Sequence, residues 1–246
     1  MRKIAFCFLT YDNLSQPELW NKIINNNREK MNIYIHNKNY FVDDHLGLHY
    51  YCINNINETR YANISIVRAT LELFKTAFLN SENEFFILLS DSCVPLHNFN
   101  HIYDEVFKIN SNIISDEFNN TMERFDYLND TNFFDRNNFL KQSQWMVLNR
   151  STVEFLINND YTYLFRDDFY APDEHYFINL LHKFNIHYHK LNINYSNWCD
   201  SNGGRPKTYY HLTNEEINDI KENSNHFFMR KINKDCILPS YYNNIQ

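Results

Sequence analysis

The sequence predicts an α/β protein whose central, mostly parallel sheet is flanked by helices. Two observations carry this expectation. Strand-like and helix-like segments alternate through the first half of the chain, the mark of β–α–β units. Among them, Glu84 to Ser90 reads Glu-Phe-Phe-Ile-Leu-Leu-Ser, a continuous apolar run suited to a strand covered on both faces. Ligands of such sheets gather at the carboxyl ends of the strands, where Asp91 stands.

Taken in order, Lys3 to Thr10 reads as a buried strand, and a helix follows from about Pro17 to Asn25 with proline in its first turn. Met31 to His36 alternates as a second strand. Ile64 to Leu79 is a long helix with Ile66, Leu71, Leu73, Phe74 and Phe78 on its inner side. In the second half, Gln144 to Leu148 reads as a strand, Ser151 to Ile157 as a short helix and Pro172 to Phe184 as another. His187 to Leu191 alternates, Thr213 to Lys221 is a polar helix opened by a capping box (Thr213, Glu216), and His226 to Lys231 is a last strand. No repeat, linker or low-complexity block divides the chain.

Composition narrows the function. With 246 residues, 43% of them hydrophobic, the chain can bury a full core. A net charge of -7 with scattered basic residues is unlike a nucleic-acid binder, which needs a basic stripe. Five well-separated cysteines with no Cys-x-x-Cys pair point to reduced thiols. The apolar run Ile4 to Thr10 is too short to span a membrane and lacks a small-residue cleavage site. A soluble or cytoplasmic protein without signal peptide, anchor or membrane span is therefore expected. Glycine and proline are scarce, three and five residues, and cluster at the segments that read as functional: Pro95, Pro172, and Gly203-Gly204 before Pro206.

The richest of these segments is Pro172-Asp173-Glu174-His175. On a helical wheel of roughly 100° per residue, Tyr176, Phe177, Leu180, Leu181 and Phe184 form an apolar stripe. Asp173 falls inside that stripe and Glu174 on its border. An inward acid in a first turn is expected to meet the free helix N–H groups, whereas a border acid facing a cleft is suited to accept a proton. Leu88 to Leu96 runs from a strand into a proline-ended loop with one acid, Asp91, followed by Ser92 and Cys93, a poor hard-metal set. Asp91 reads equally as the cap of a turn. Without a metal, a leaving diphosphate needs cations, and Arg205 and Lys231 are candidates. Arg230 and Lys231, as strand neighbours, should face opposite ways. Trp145 and Trp198 read either as core or as platforms for a sugar ring. His187 and His189, with His175 or Asp173, make a weaker metal-binding pattern.

These segments together resemble glycosyltransferase family 14, the core-2/I-branching β-1,6-N-acetylglucosaminyltransferase family, which includes xylosyltransferase-like and plant relatives. The likeness runs from Lys3-Ile4-Ala5-Phe6 through Ile33-Tyr34-Ile35-His36, Leu88 to Leu96, Ser143-Gln144-Trp145 and Pro172-Asp173-Glu174-His175 to Phe228-Met229-Arg230-Lys231. It implies a GT-A type fold in one domain, residues 1–246, with the nucleotide-binding part at about 1–110 and the acceptor and catalytic part at about 111–246. It also implies an inverting, metal-independent enzyme that takes no cofactor. UDP-sugar is its substrate (GlcNAc first, xylose or glucose as alternatives), and its acceptor is a glycan or glycoprotein. Glu174 would be the general base. Tyr61, Asp91, Arg205 and Lys231 would hold the nucleotide sugar, and Trp145, Asp173 and Trp198 the acceptor. A catalytically inactive glycan- or nucleotide-binding module and a metal-dependent hydrolase are the competing readings.

Overall fold

The computed structural model describes residues 1–39, 45–117, 122–199 and 205–245. Its elements in chain order are β1 (Lys3–Thr10), α1 (Pro17–Asn27), β2 (Met31–Asn37), α2 (Ile64–Phe78), β3 (Asn83–Ser90), β4 (Val94–Pro95), α3 (Phe99–Ile109) and β5 (Asn112–Ile114). There follow α4 (Met122–Phe125), β6 (Val147–Asn149), α5 (Arg150–Asn158), α6 (Tyr176–Lys183), β7 (Tyr188–Lys190) and β8 (Asn194–Ser196). The chain ends with β9 (Tyr209–His211), α7 (Asn214–Asn223), β10 (Phe228–Arg230) and β11 (Ile232–Ile237).

Among the described residues, six strands form the main sheet in the order β2-β1-β3-β6-β5-β7. Five run the same way, and β6 alone is reversed, pairing antiparallel with both β3 and β5. The sheet is thus mostly parallel, as expected. Phe6 of β1 lies between Ile33 of β2 and Ile87 of β3, and these strands are buried on both faces, which is why they read as unbroken apolar runs. Helix starts follow local capping chemistry. The Asn63, Asn98 and Asn149 side chains accept amides at the starts of α2, α3 and α5, and Thr213 and Glu216 close the expected capping box on α7. Among the described residues no helix is long and apolar enough to cross a membrane.

A smaller sheet, β4-β10-β8, sets residues from the far end of the chain beside the exit of β3: Met229 pairs with Val94 on one side and Tyr195 on the other. The expected last strand is therefore the short β10, and β11 follows it to pair with β9. The Gln144–Leu148 strand is also shorter than expected, beginning at Val147 and leaving Trp145 outside it.

The helix expected from Pro172 to Phe184 is broken. Pro172–Glu174 is a single 3-10 turn, His175 leaves helical geometry at φ -131°, and α6 begins only at Tyr176. Gln142 explains the break. In a continuous helix the Ile178 amide would donate to the Glu174 carbonyl. Here the Gln142 amide donates to that carbonyl at 2.8 Å, and Gln142 Oε1 receives the Ile178 amide at 2.7 Å. A fully buried glutamine has replaced a rung of the ladder.

Candidate active site

The segments Leu140–Gln142 and Pro172–Asn179 are stitched together. Besides the two Gln142 bonds, the Leu140 amide donates to Asn179 Oδ1 at 2.8 Å, and Asn179 Nδ2 donates back to the Leu140 carbonyl at 2.8 Å. This registers Lys141 against Glu174. Glu174 Oε2 lies 3.0 Å from Arg124 Nη1 and 3.6 Å from Lys141 Nζ, with all three side chains about three-quarters shielded from water. The ion pair is thus neither a loose surface contact nor fully desolvated.

Asp173 takes the opposite position. It is buried, its Oδ1 has no hydrogen-bond partner among the described residues, and its own backbone amide lowers the carboxyl. The expected bracing of helix N–H groups does not occur, because α6 starts three residues later. Burial, followed by the Glu174 charge, pushes its carboxyl up to about 7. His175 is also fully buried, stacked on Phe139 with ring centroids 5.0 Å apart, and burial lowers it to about 3.

A second, basic wall lies at the exit of β3. Asp91 Oδ2 accepts the Tyr11 amide at 3.1 Å, which ties the ends of β1 and β3 together. Burial raises the Asp91 carboxyl, opposed by that amide and by Arg230 and Lys231. The charges of Arg230 and Lys231 both act on Asp91. Strand β10 ends at Arg230 and β11 starts at Ile232, so strand alternation does not extend across Lys231. Burial lowers the proton affinity of Lys231, and the charges of Arg230 and Arg205 lower it further.

Two tyrosines join the walls. The Arg205 guanidinium lies 6.0 Å from the ring centre of Tyr61, whose side chain neighbours that of Tyr170 and raises its hydroxyl's proton affinity. Arg124 in turn lies 5.0 Å over the Tyr170 ring. The backbones beneath are linked as well: the Ala171 amide donates to the Ala62 carbonyl at 3.0 Å, and both alanines sit in the left-handed region, at φ 53° and 51°. Such backbone costs about 1 kcal/mol or more per residue and persists where tertiary contacts impose it, commonly at functional sites.

The structure therefore connects Glu174, Tyr61, Arg205, Lys231 and Asp91 in one arc. Trp145 supports that arc from beneath. It is 4% exposed and stacks under Arg230 at 4.6 Å, so it offers no face to an acceptor. Trp198 is more than half exposed, two residues past β8 and beside the Asn197 carbonyl that receives the Lys207 amide. Gly203 and Gly204 lie outside the described residues. His187 and His189 are exposed at the sheet edge, while both ring nitrogens of His175 are engaged within the protein, so the pattern of three histidines does not assemble. Sequence reasoning missed Arg124, Lys141, Tyr170 and the role of Gln142. Lys141 and Gln142 adjoin Ser143-Gln144-Trp145 and were within reach; the short helix carrying Arg124 has no local signal.

Fold and site together define an α/β protein that links a clamped carboxylate to a basic group at the exit of β3. The chain belongs to the Core-2/I-Branching enzyme family, whose profile matches residues 4–221, so the resemblance to glycosyltransferase family 14 is shown. It is similar to Glycosyltransferase BC10 of Oryza sativa subsp. japonica, with 27% identity over 164 residues, covering 64% of this chain and 41% of the rice protein. The chain thus spans about two fifths of that relative's length. It also superposes on the apo structure of the bifunctional glycosyltransferase WbbM with a TM-score of 0.48 and 13% identity, over 94% of this chain and 46% of that one.

Proposed function

We propose that the chain is an inverting, metal-independent glycosyltransferase that moves a sugar from a UDP-sugar to an acceptor hydroxyl, with GlcNAc the first choice and xylose or glucose the alternatives. The observation that carries this reading is the clamp on Glu174: Arg124 and Lys141 hold Oε2, which leaves Oε1 to meet an incoming hydroxyl. Glu174 takes the acceptor's proton while the acceptor oxygen bonds to the anomeric carbon. The bond from that carbon to the diphosphate breaks, and its electron pair leaves with UDP. Arg205 and Lys231 neutralise the departing charge, the part that a metal plays elsewhere. Tyr61 lies against the nucleotide, Asp91 holds the basic wall in place, and Trp198 offers its exposed face to a glycan or glycoprotein acceptor.

The test is a screen of UDP-sugars for transfer and hydrolysis, with and without EDTA, in the parent chain and in Glu174→Gln. Turnover that survives EDTA and falls by roughly 100-fold or more in Glu174→Gln, with UDP still bound, is expected. Turnover abolished by EDTA and restored by Mn²⁺ overturns the metal-free mechanism, and a bound metal with hydrolysis but no transfer favours the hydrolase reading. UDP binding without turnover of any donor assigns a binding module instead.

A further inference from the structure

We infer that His175 is a positioning residue for the Glu174 base, acting as a permanently neutral acceptor that aims Arg124. This rests on the reading of Glu174 as the base.

The argument begins with hydrogen-bond inventory. Arg124 Nη1 lies 3.0 Å from Glu174 Oε2 and 3.1 Å from His175 Nε2. A guanidinium nitrogen carries two N–H groups and accepts nothing, so both contacts are donations. His175 Nε2 must therefore be an unprotonated acceptor. The other ring nitrogen, Nδ1, lies 2.8 Å from the Leu140 carbonyl, which only accepts, so Nδ1 carries the proton. The two contacts together define one neutral tautomer. Its environment favours neutrality as well: the ring is fully buried against Phe139 and Phe169, and the cations Arg124 and Lys141 both disfavour a charged ring.

The geometry then transmits outward. Asn179 of α6 also holds the Leu140 carbonyl, so the ring cannot swing without losing that bond. Nε2 claims one hydrogen of Nη1, and the remaining hydrogen can only point at Glu174. Burial of the ring thus fixes the direction from which a largely shielded arginine meets the carboxylate, and hence which carboxylate oxygen stays open. Without the acceptor, the guanidinium keeps, among the described residues, the Tyr170 face and the carboxylate to hold it. Small errors in the placement of reacting groups are costly, up to about 100-fold for 1 Å.

Three variants and one spectrum test this in the full chain. His175→Phe keeps the buried ring but removes the acceptor; kcat should fall by roughly 10- to 100-fold, with KM for the UDP-sugar within about twofold. His175→Gln restores an acceptor near Nε2 and should recover most of the loss. Arg124→Met combined with His175→Phe should be no worse than Arg124→Met alone, because both act through one contact. Side-chain ¹⁵N shifts of His175 should report a neutral Nδ1–H ring from pH 5 to 9. A parental kcat in His175→Phe, equal losses in Phe and Gln, additive losses in the double variant, or a charged or Nε2–H ring overturns the inference. Should Glu174→Gln keep full turnover, the base assignment itself fails; the ¹⁵N spectrum still decides the tautomer, so the two failures are told apart. Thermal unfolding of each variant separates misplacement from loss of fold.

Discussion

Asp173→Asn should stabilise the protein at alkaline pH and leave it little changed at acidic pH. Asp173 is 8% exposed, its Oδ1 has no partner among the described residues, and burial followed by Glu174 raises its carboxyl from the ordinary 3.8 to about 7, against its own amide and Arg124. The native state therefore holds a proton that the unfolded chain releases. The stability linked to that proton is fully present below pH 3.8, declines as pH rises, and is gone once pH passes about 7. At 1.36 kcal/mol for each tenfold change in proton affinity, the full effect is roughly 4 kcal/mol, of which about 2–3 kcal/mol falls between pH 5 and pH 8. Asparagine is isosteric and neutral at every pH, so it removes this dependence and no other. Urea unfolding of both chains at pH 5 and pH 8 measures it: the stability difference between variant and parent should move by about 2–3 kcal/mol in the variant's favour at pH 8. A difference constant to within about 0.5 kcal/mol, or one that moves the other way, refutes the placement of a protonated acid behind Glu174.

Gln142→Leu should cost about 2–3 kcal/mol in urea unfolding, because the buried Ile178 amide loses its acceptor at Oε1; a cost below about 0.5 kcal/mol would show that the helix re-forms across the break. Lys231→Met and Arg205→Met should each weaken UDP binding by roughly 10- to 100-fold in calorimetry, the worth of one charge-assisted contact to phosphate, and unchanged affinity in both would place the diphosphate elsewhere.

Much of the architecture of the first half of the chain was legible in the sequence. β1, β2, α2 and β3 announce themselves through apolar runs and periodicity, since strands covered on both faces carry little else, and the α7 capping box needs only Thr213 and Glu216. Asp91 was placed correctly at a strand exit by the logic of parallel sheets. The wheel also put Asp173 inside and Glu174 at the border. That outcome holds although the helix it assumed is broken, because one residue step separates inward from outward in a 3-10 turn as it does in an α-helix. The break itself was illegible: it depends on Gln142, 36 positions before the amide it captures.

By itself, the sequence determined the strand–helix alternation, the acid-bearing turn after Pro172 and the family to which its motifs belong. These are local signals, written in residues a few positions apart. Tertiary structure decided what each charged group meets. It brought Glu174 and His175 onto one nitrogen of Arg124, about 50 positions away, buried Trp145 under Arg230, and set the charges of Arg230 and Lys231 to act on Asp91. The physical reason is that a side chain's chemistry depends on its desolvation and on partners within a few ångströms. Both are properties of chain segments packed together, and no window of local sequence contains them.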